Sequence, residues 1–268
     1  MTETPLFSIR NVSKYFPGPS GEAFFSALED VSFDIYAGQC LMIAGSNGSG
    51  KTVLTRIIAG LMEPGGGEVL FNGMPLFDAR RGGAARRETV RLIRRELGLV
   101  FQDADAQIVG ETALEDAAFG PENLGLSAAE VKARAEKALA AMGLAGKGGC
   151  SPRRLSGGEK RRLAIAGVLA MGCGTVIMDE PFANLDWPGV ERTLEIIGDL
   201  KSGGKTLIIL THELEKALAL ADRLLVLHKG RLCTDGPPAA VLDGLKPEWG
   251  VRDPRRGWAC LEGLPWPE

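Results

Sequence analysis

The sequence predicts an α/β fold on a parallel or mixed sheet, and three observations predict it. Short, continuous apolar runs recur along the 268 residues with helix-like stretches between them. One of these runs leads directly into a glycine-rich loop followed by a helical pattern. From about Asp103 to Gly172 the chain carries no strand signal and reads as an inserted helical subdomain.

The expected strands, in order, are Cys40–Ala44, Leu97–Phe101, Thr175–Met178, Thr206–Leu210 and Leu224–Leu227. Their unbroken apolar character suits strands buried on both faces. Asn72-Gly73, between Glu68–Phe71 and Met74–Leu76, predicts a hairpin turn, and Lys229-Gly230 predicts another. Within the insertion, Ser127 to Met142 reads as an amphipathic helix. Ser127 and Glu130 form a capping box, Val131, Ala135, Ala138, Leu139 and Met142 share one face, and Gly143 ends it. The main domain is expected over residues 1–243. A short tail, 244–268, follows with Trp249, Trp258 and Trp266, three of the four tryptophans.

Bulk properties narrow the function. The chain is 45% apolar and 24% charged, as ordinary globular proteins are, and its net charge of −3 argues against nucleic acid as a partner. The cysteines Cys40, Cys150, Cys173, Cys233 and Cys260 are odd in number, scattered and free of any C-x-x-C spacing, which suits reduced thiols. Residues 1–16 lack the apolar core of a signal peptide. The longest uncharged runs, 35–50 and 163–178, have 16 residues each and are interrupted by glycines, too short for a membrane helix. Arg80, Arg81, Arg86, Arg87, Arg91, Arg94 and Arg95 are interspersed with Asp78, Glu88 and Glu96, the pattern of a solvated helix face.

The chemistry is written in two places. Gly45-Ser46-Asn47-Gly48-Ser49-Gly50-Lys51-Thr52 matches G-x-x-x-x-G-K-[ST], follows the strand 40–44 and opens the helical stretch Thr52–Leu61. Such a loop turns its backbone N–H groups and a helix N-terminus towards a polyphosphate. Lys51 neutralises β- and γ-phosphate charge there, and the Thr52 hydroxyl is a Mg²⁺ ligand. Asp179-Glu180 ends the run Thr175–Met178, at the strand edge where open α/β sheets place ligands. Asp179 suits a role in holding Mg²⁺, directly or through water. Glu180, on the opposite side of the chain, suits a general base acting on water. His212 stands two residues beyond Thr206–Leu210 at the same kind of edge, in reach of a γ-phosphate. His228, before a turn, carries no such expectation.

Leu155-Ser156-Gly157-Gly158-Glu159, between these two elements, resembles the signature sequence of ABC ATPases. The resemblance runs from about Phe7 to Gly236. Gln102 after Gly98–Phe101 resembles the Q-loop, Asn184-Leu185-Asp186 the D-loop and Thr211-His212 the switch histidine. Asn11–Phe16 resembles the segment whose aromatic residue stacks on adenine; spacing favours Phe16, with Tyr15 as the alternative. The resemblance implies a P-loop NTPase core of mixed or parallel sheet with an antiparallel β subdomain and a helical insertion. It also implies ATP and Mg²⁺ as cofactors. Gln102 would sense the metal and the attacking water, Asp186 would join the nucleotide-binding residues, and Ser156, Gly157 and Gly158 would serve an ATP held by a second ATPase subunit, the same or a related chain, in a head-to-tail dimer.

A finer similarity is to the ATPases of energy-coupling-factor and cobalt importers. It rests on Phe101–Gln107, Glu115–Asn123 and Ala164–Ala170. It implies a subunit on the cytoplasmic face of the cell membrane, working with integral transport subunits and a small substrate-binding membrane protein. Three residues depart from the usual pattern: Glu159 for glutamine, Phe182 for threonine and Trp187 for proline. None removes a catalytic group. A DNA-repair ABC machine would carry a long coiled coil between the halves of its site, yet only 53 positions separate Gln102 from Leu155. A small GTPase would need an Asn-Lys-x-Asp base reader, which is absent.

Overall fold

A computed structural model of the protein describes residues 4–17, 24–77 and 82–255, without the side chains of 82–87. Two sheets and a helical layer form it. The first sheet is antiparallel: β1 (Phe7–Phe16), β2 (Phe25–Ile35), β4 (Gly66–Phe71) and β5 (Met74–Pro75), in the order β2-β1-β4-β5. The second has the order β10-β9-β3-β8-β7-β6 and contains β3 (Cys40–Ala44), β6 (Leu97–Val100), β7 (Thr175–Asp179), β8 (Thr206–Leu210), β9 (Arg223–His228) and β10 (Arg231–Gly236). Its pairs are parallel except β9–β10.

Every residue of β3, β7 and β8 is buried, as their continuous apolar runs predict. All five expected strands are present to within a residue at each end. Both expected turns join antiparallel strands, with Asn72-Gly73 at φ 49° and 75° and Lys229-Gly230 at 46° and 76°, the twist a two-residue hairpin needs.

The long strands β1 and β2 were not legible as apolar runs. Asn11 and Asp30 sit at φ 48° and 56° where the β1–β2 register shifts, so bulges break the alternation that marks a half-buried strand. Phe7, Ile9, Val12, Leu28, Val31 and Ile35 nonetheless bury completely against the core.

The helices are α1 (Lys51–Ile58), α2 (Gly82–Glu96), α3 (Ala113–Asn123), α4 (Ala128–Ala141), α5 (Gly157–Met171), α6 (Trp187–Ser202), α7 (Leu214–Ala217) and α8 (Pro238–Asp243). Segment 103–172 is helical without a strand, and α3, α4 and α5 pack on one another. Ser127 and Glu130 form the expected capping box on α4, whose Val131, Ala135, Ala138 and Leu139 are buried. Thr112 caps α3 in the same way; such caps contribute about 0.5–2 kcal/mol each.

The arginine-rich stretch forms most of α2, although Arg80 and Arg81 lie outside the described residues, as do the side chains of Arg86 and Arg87. In the described part of the tail, Leu245 and Trp249 pack against the core and Val251 is buried. Cys260, Trp258 and Trp266 lie outside it. Burial pushes the Cys40 and Cys173 thiols up to about 11, so neither is a ready nucleophile. No helix among the described residues is long and apolar enough to cross a membrane.

Candidate functional site

Strand order assembles the site. The phosphate loop follows β3, His212 follows β8, Asp179-Glu180 closes β7 and Gln102 follows β6, so four neighbouring parallel strands deliver their functional residues to one carboxyl edge. Asn47, Gly48, Ser49, Gly50, Lys51, Thr52, Gln102, Asp179 and Glu180 line a common cleft of about 340 Å³.

Two of the loop's glycines are sterically required. Gly45 and Gly50 stand at φ 156° and 102°. A Cβ on Gly45 would lie 2.3 Å from the Leu227 carbonyl oxygen, and one on Gly50 2.5 Å from that of Ala27. The loop thus closes tightly against the hairpin behind it and delivers the N-terminus of α1 to the cleft. The Lys51 ammonium donates to the carbonyls of Gly45 (2.6 Å) and Ser46 (3.2 Å). Burial lowers its pKa, against the opposing pull of Glu180 and Asp179.

The acids take different positions. Thr52 Oγ1 donates to Asp179 Oδ2 at 2.9 Å, so a hydroxyl and a carboxylate converge as a hard divalent cation requires. Burial raises the Asp179 pKa, partly offset by the Thr52 bond. Glu180 is 6% exposed and left-handed at φ 50°, an uncommon backbone for a glutamate and one typical of functional sites. His212 Nδ1 lies 2.9 Å from Glu180 Oε1. The sequence expectation for His212 is a phosphate contact; the structure places its ring against the Glu180 carboxylate.

The remaining expected residues sit elsewhere. Phe16 pairs across the sheet with Phe25, and it is Phe25, with no sequence signal of its own, that lines the phosphate-loop cleft. The Lys14 ammonium lies 5.6 Å from the Phe16 ring centre. Tyr15 instead faces Gly65. Ser156, Gly157 and Gly158 form the start of α5 beside the D-loop, where Gly158 approaches the Asn184 carbonyl, and they do not line the cleft of their own chain. Asp186 caps α6 by accepting from the Gly189 N–H at 3.1 Å, with Arg162 3.9 Å away.

The departures have physical accounts. Phe182 is 2% exposed and fills the core under α7. Trp187 is 66% exposed at the start of α6, beside the D-loop. Glu159 completes a capping box on α5, accepting from Ser156 N–H at 2.8 Å, and pairs with Lys147. The Lys147 bond, then the Ser156 N–H, hold its pKa down to about 2. A depressed carboxylate stabilises the fold above its unfolded value of 4.5 and loses that contribution as pH falls towards 2. Glu159→Gln is therefore expected to cost at most about 1 kcal/mol at pH 7. In denaturant titrations the gap between variant and parent should close between pH 5 and pH 2; a constant gap would assign it to lost packing.

Besides Phe25, sequence reasoning gave no role to three further residues that tie the site's loops together. Gln107 accepts from the Phe101 N–H (2.9 Å) and donates to the Ala164 carbonyl (3.1 Å), joining the Q-loop to α5. Asp116 accepts from the N–H groups of Val109 and Gly110. Arg161, 2% exposed on α5, reaches backbone carbonyls in both the Q-loop and the acidic pair. Gln107 and Asp116 fall within stretches already noted for their similarity, but contacts of a side chain with distant backbone have no local pattern.

Residues 28–183 match the family model described as ABC transporter. The chain is 41% identical over 239 residues to a cobalt import ATP-binding protein of Rhodobacter capsulatus, covering 89% of this chain and 81% of that one. It is 36% identical to an energy-coupling factor transporter ATP-binding protein of Methanocaldococcus jannaschii, covering 90% and 83%. Among solved structures it resembles a dimeric post-hydrolysis ATP-binding cassette bound to ADP and Pi, with a TM-score of 0.78, 28% identity, and 87% and 98% of the two chains covered.

Proposed function

The chain belongs to the ABC transporter family, as an ATP-binding, ATP-hydrolysing cassette, and on that premise we propose that it drives an importer of the energy-coupling-factor kind, with a transition metal such as cobalt or nickel, or a vitamin, as cargo. The observation that carries the catalytic half of this reading is the convergence of Lys51, Thr52, Gln102, Asp179, Glu180 and His212 on one sheet edge. Similarity to the cobalt and energy-coupling-factor relatives supports the transport half.

In the proposed mechanism, loop N–H groups from Ser46 to Thr52 and the Lys51 ammonium hold the phosphates, and Phe16, beside Phe25, takes the base. Mg²⁺ held by Thr52 and Asp179, within reach of Gln102, would spread charge over the phosphate oxygens. Glu180 accepts the proton of the attacking water, and His212 keeps its carboxylate aimed. Gln102 orders the water and couples the core to the helical insertion. Ser156, Gly157 and Gly158, turned away from their own cleft, serve the nucleotide of a second ATPase subunit in a head-to-tail dimer, in which Asp186 and the exposed Trp187 face the partner.

An apolar groove supports a membrane partner. Leu61 (53% exposed), Phe119 (53%) and Val109 (61%) surround a groove of about 400 Å³ between the core sheet and the helical insertion. Exposed apolar surface of this kind is what a partner covers. It would place the chain peripherally on the cytoplasmic face of the membrane.

The test is a pull-down of the tagged chain from detergent-solubilised membranes of its source cells. The expected result is recovery of an integral scaffold protein together with a small substrate-binding membrane protein, whose ligand would identify the cargo. Recovery of ordinary permease pairs would retain the transporter and discard the subfamily. Soluble proteins alone would overturn the transport reading.

A further inference from the structure

Arg161 lies one turn into α5, the helix that begins at the signature, and is 2% exposed. Among the described residues its hydrogen bonds go to backbone carbonyls and none to a carboxylate. Its Nη1 donates to the carbonyls of Phe101 and Gln102, the latter at 2.8 Å, and its Nη2 to those of Asp179 and Glu180, the former at 2.6 Å. Nε is buried without a hydrogen-bond partner among the described residues. Burial pulls the guanidinium's pKa below its usual value, against the pull of Asp179, Glu180 and Asp103.

Packing alone is a poor account of this side chain. Charge taken from water costs several kcal/mol, and an apolar residue of similar length would bury more cheaply. The guanidinium is a rigid planar fork, so its two terminal nitrogens set a fixed spacing between whatever they hold. Here they hold two loops at the ends of adjacent strands, β6 and β7. One carries the Q-loop glutamine; the other carries Glu180 in its left-handed conformation. Gln107, bonded to the Ala164 carbonyl, makes a second tie from the Q-loop to the same helix.

We propose that Arg161 is a positioning residue for hydrolysis: acting only through backbone carbonyls, it holds Glu180 in register with Gln102 and makes both move with the signature helix. The helix whose N-terminus serves one nucleotide thereby sets the general base for the other. The proposal rests on the reading of Glu180 as general base.

A double-mutant cycle on the full chain tests it, using R161M, R161K, E180Q and R161M/E180Q. Turnover and the affinity for a fluorescent ATP analogue are read separately. R161M is expected to lower kcat by roughly 10–100-fold, the scale of a misplaced catalytic group, while affinity stays within about twofold. R161K, which keeps the charge and some donors, should recover part of that loss. The double variant should be no slower than E180Q alone, because a residue acting through Glu180 has nothing left to position.

An additive loss on top of a slow E180Q would overturn the proposal alone. So would affinity falling in parallel with kcat. Normal turnover by E180Q would overturn the base assignment, and the proposal with it. If R161M fails to fold, R161K and R161K/E180Q complete the same cycle with the same criteria.

Discussion

Glu180→Gln is expected to bind ATP about as well as the unaltered chain and to hydrolyse it roughly 10²–10⁴-fold more slowly, the usual cost of losing a general base. The substitution keeps side-chain length and a hydrogen-bonding oxygen for His212, 2.9 Å away in the parent. It removes the negative charge and with it the capacity to accept a proton. The buried backbone at φ 50° is the same requirement for either residue, so folding should be spared. Single-turnover hydrolysis beside equilibrium nucleotide binding separates the two quantities. Near-normal turnover would mean that water is activated elsewhere in the cleft.

Lys51→Met should instead fail at binding. The ammonium already sits among the carbonyls of Gly45 and Ser46 at the mouth of α1, where a phosphate oxygen would be a stronger partner. Loss of one hydrogen bond to a charged group costs about 1.5–3 kcal/mol, or roughly 10–100-fold in affinity. Methionine matches the aliphatic stem, so the effect reports charge rather than packing. Titration with a fluorescent ATP analogue measures it, and unchanged affinity would count against the phosphate-loop assignment. Together the two variants divide the site: one loses chemistry with binding intact, the other loses binding first.

Much of this was legible in the linear sequence. Residues 45–52 and 175–180 are contiguous, and strand–loop–helix order is a local property that a glycine-rich pattern declares. Buried strands such as Thr206–Leu210 showed as apolar runs because both faces are covered. The cap on α4 showed because its partners are three residues apart. Strands β1 and β2 did not show, since bulges at Asn11 and Asp30 shift the alternation a reader depends on.

By itself, then, the sequence determined the fold class and the nucleotide chemistry and pointed to the residues proposed to carry it, because each depends on neighbours along the chain. Only the tertiary structure decided which of those residues meet. The strand order β3-β8-β7-β6 brings Lys51, His212, Glu180 and Gln102 to one edge. It turns His212 into the partner of Glu180, puts Phe25 in the cleft, and threads Arg161 between two loops far from it in sequence. Such contacts arise from packing separate elements into one core, and no local periodicity records them.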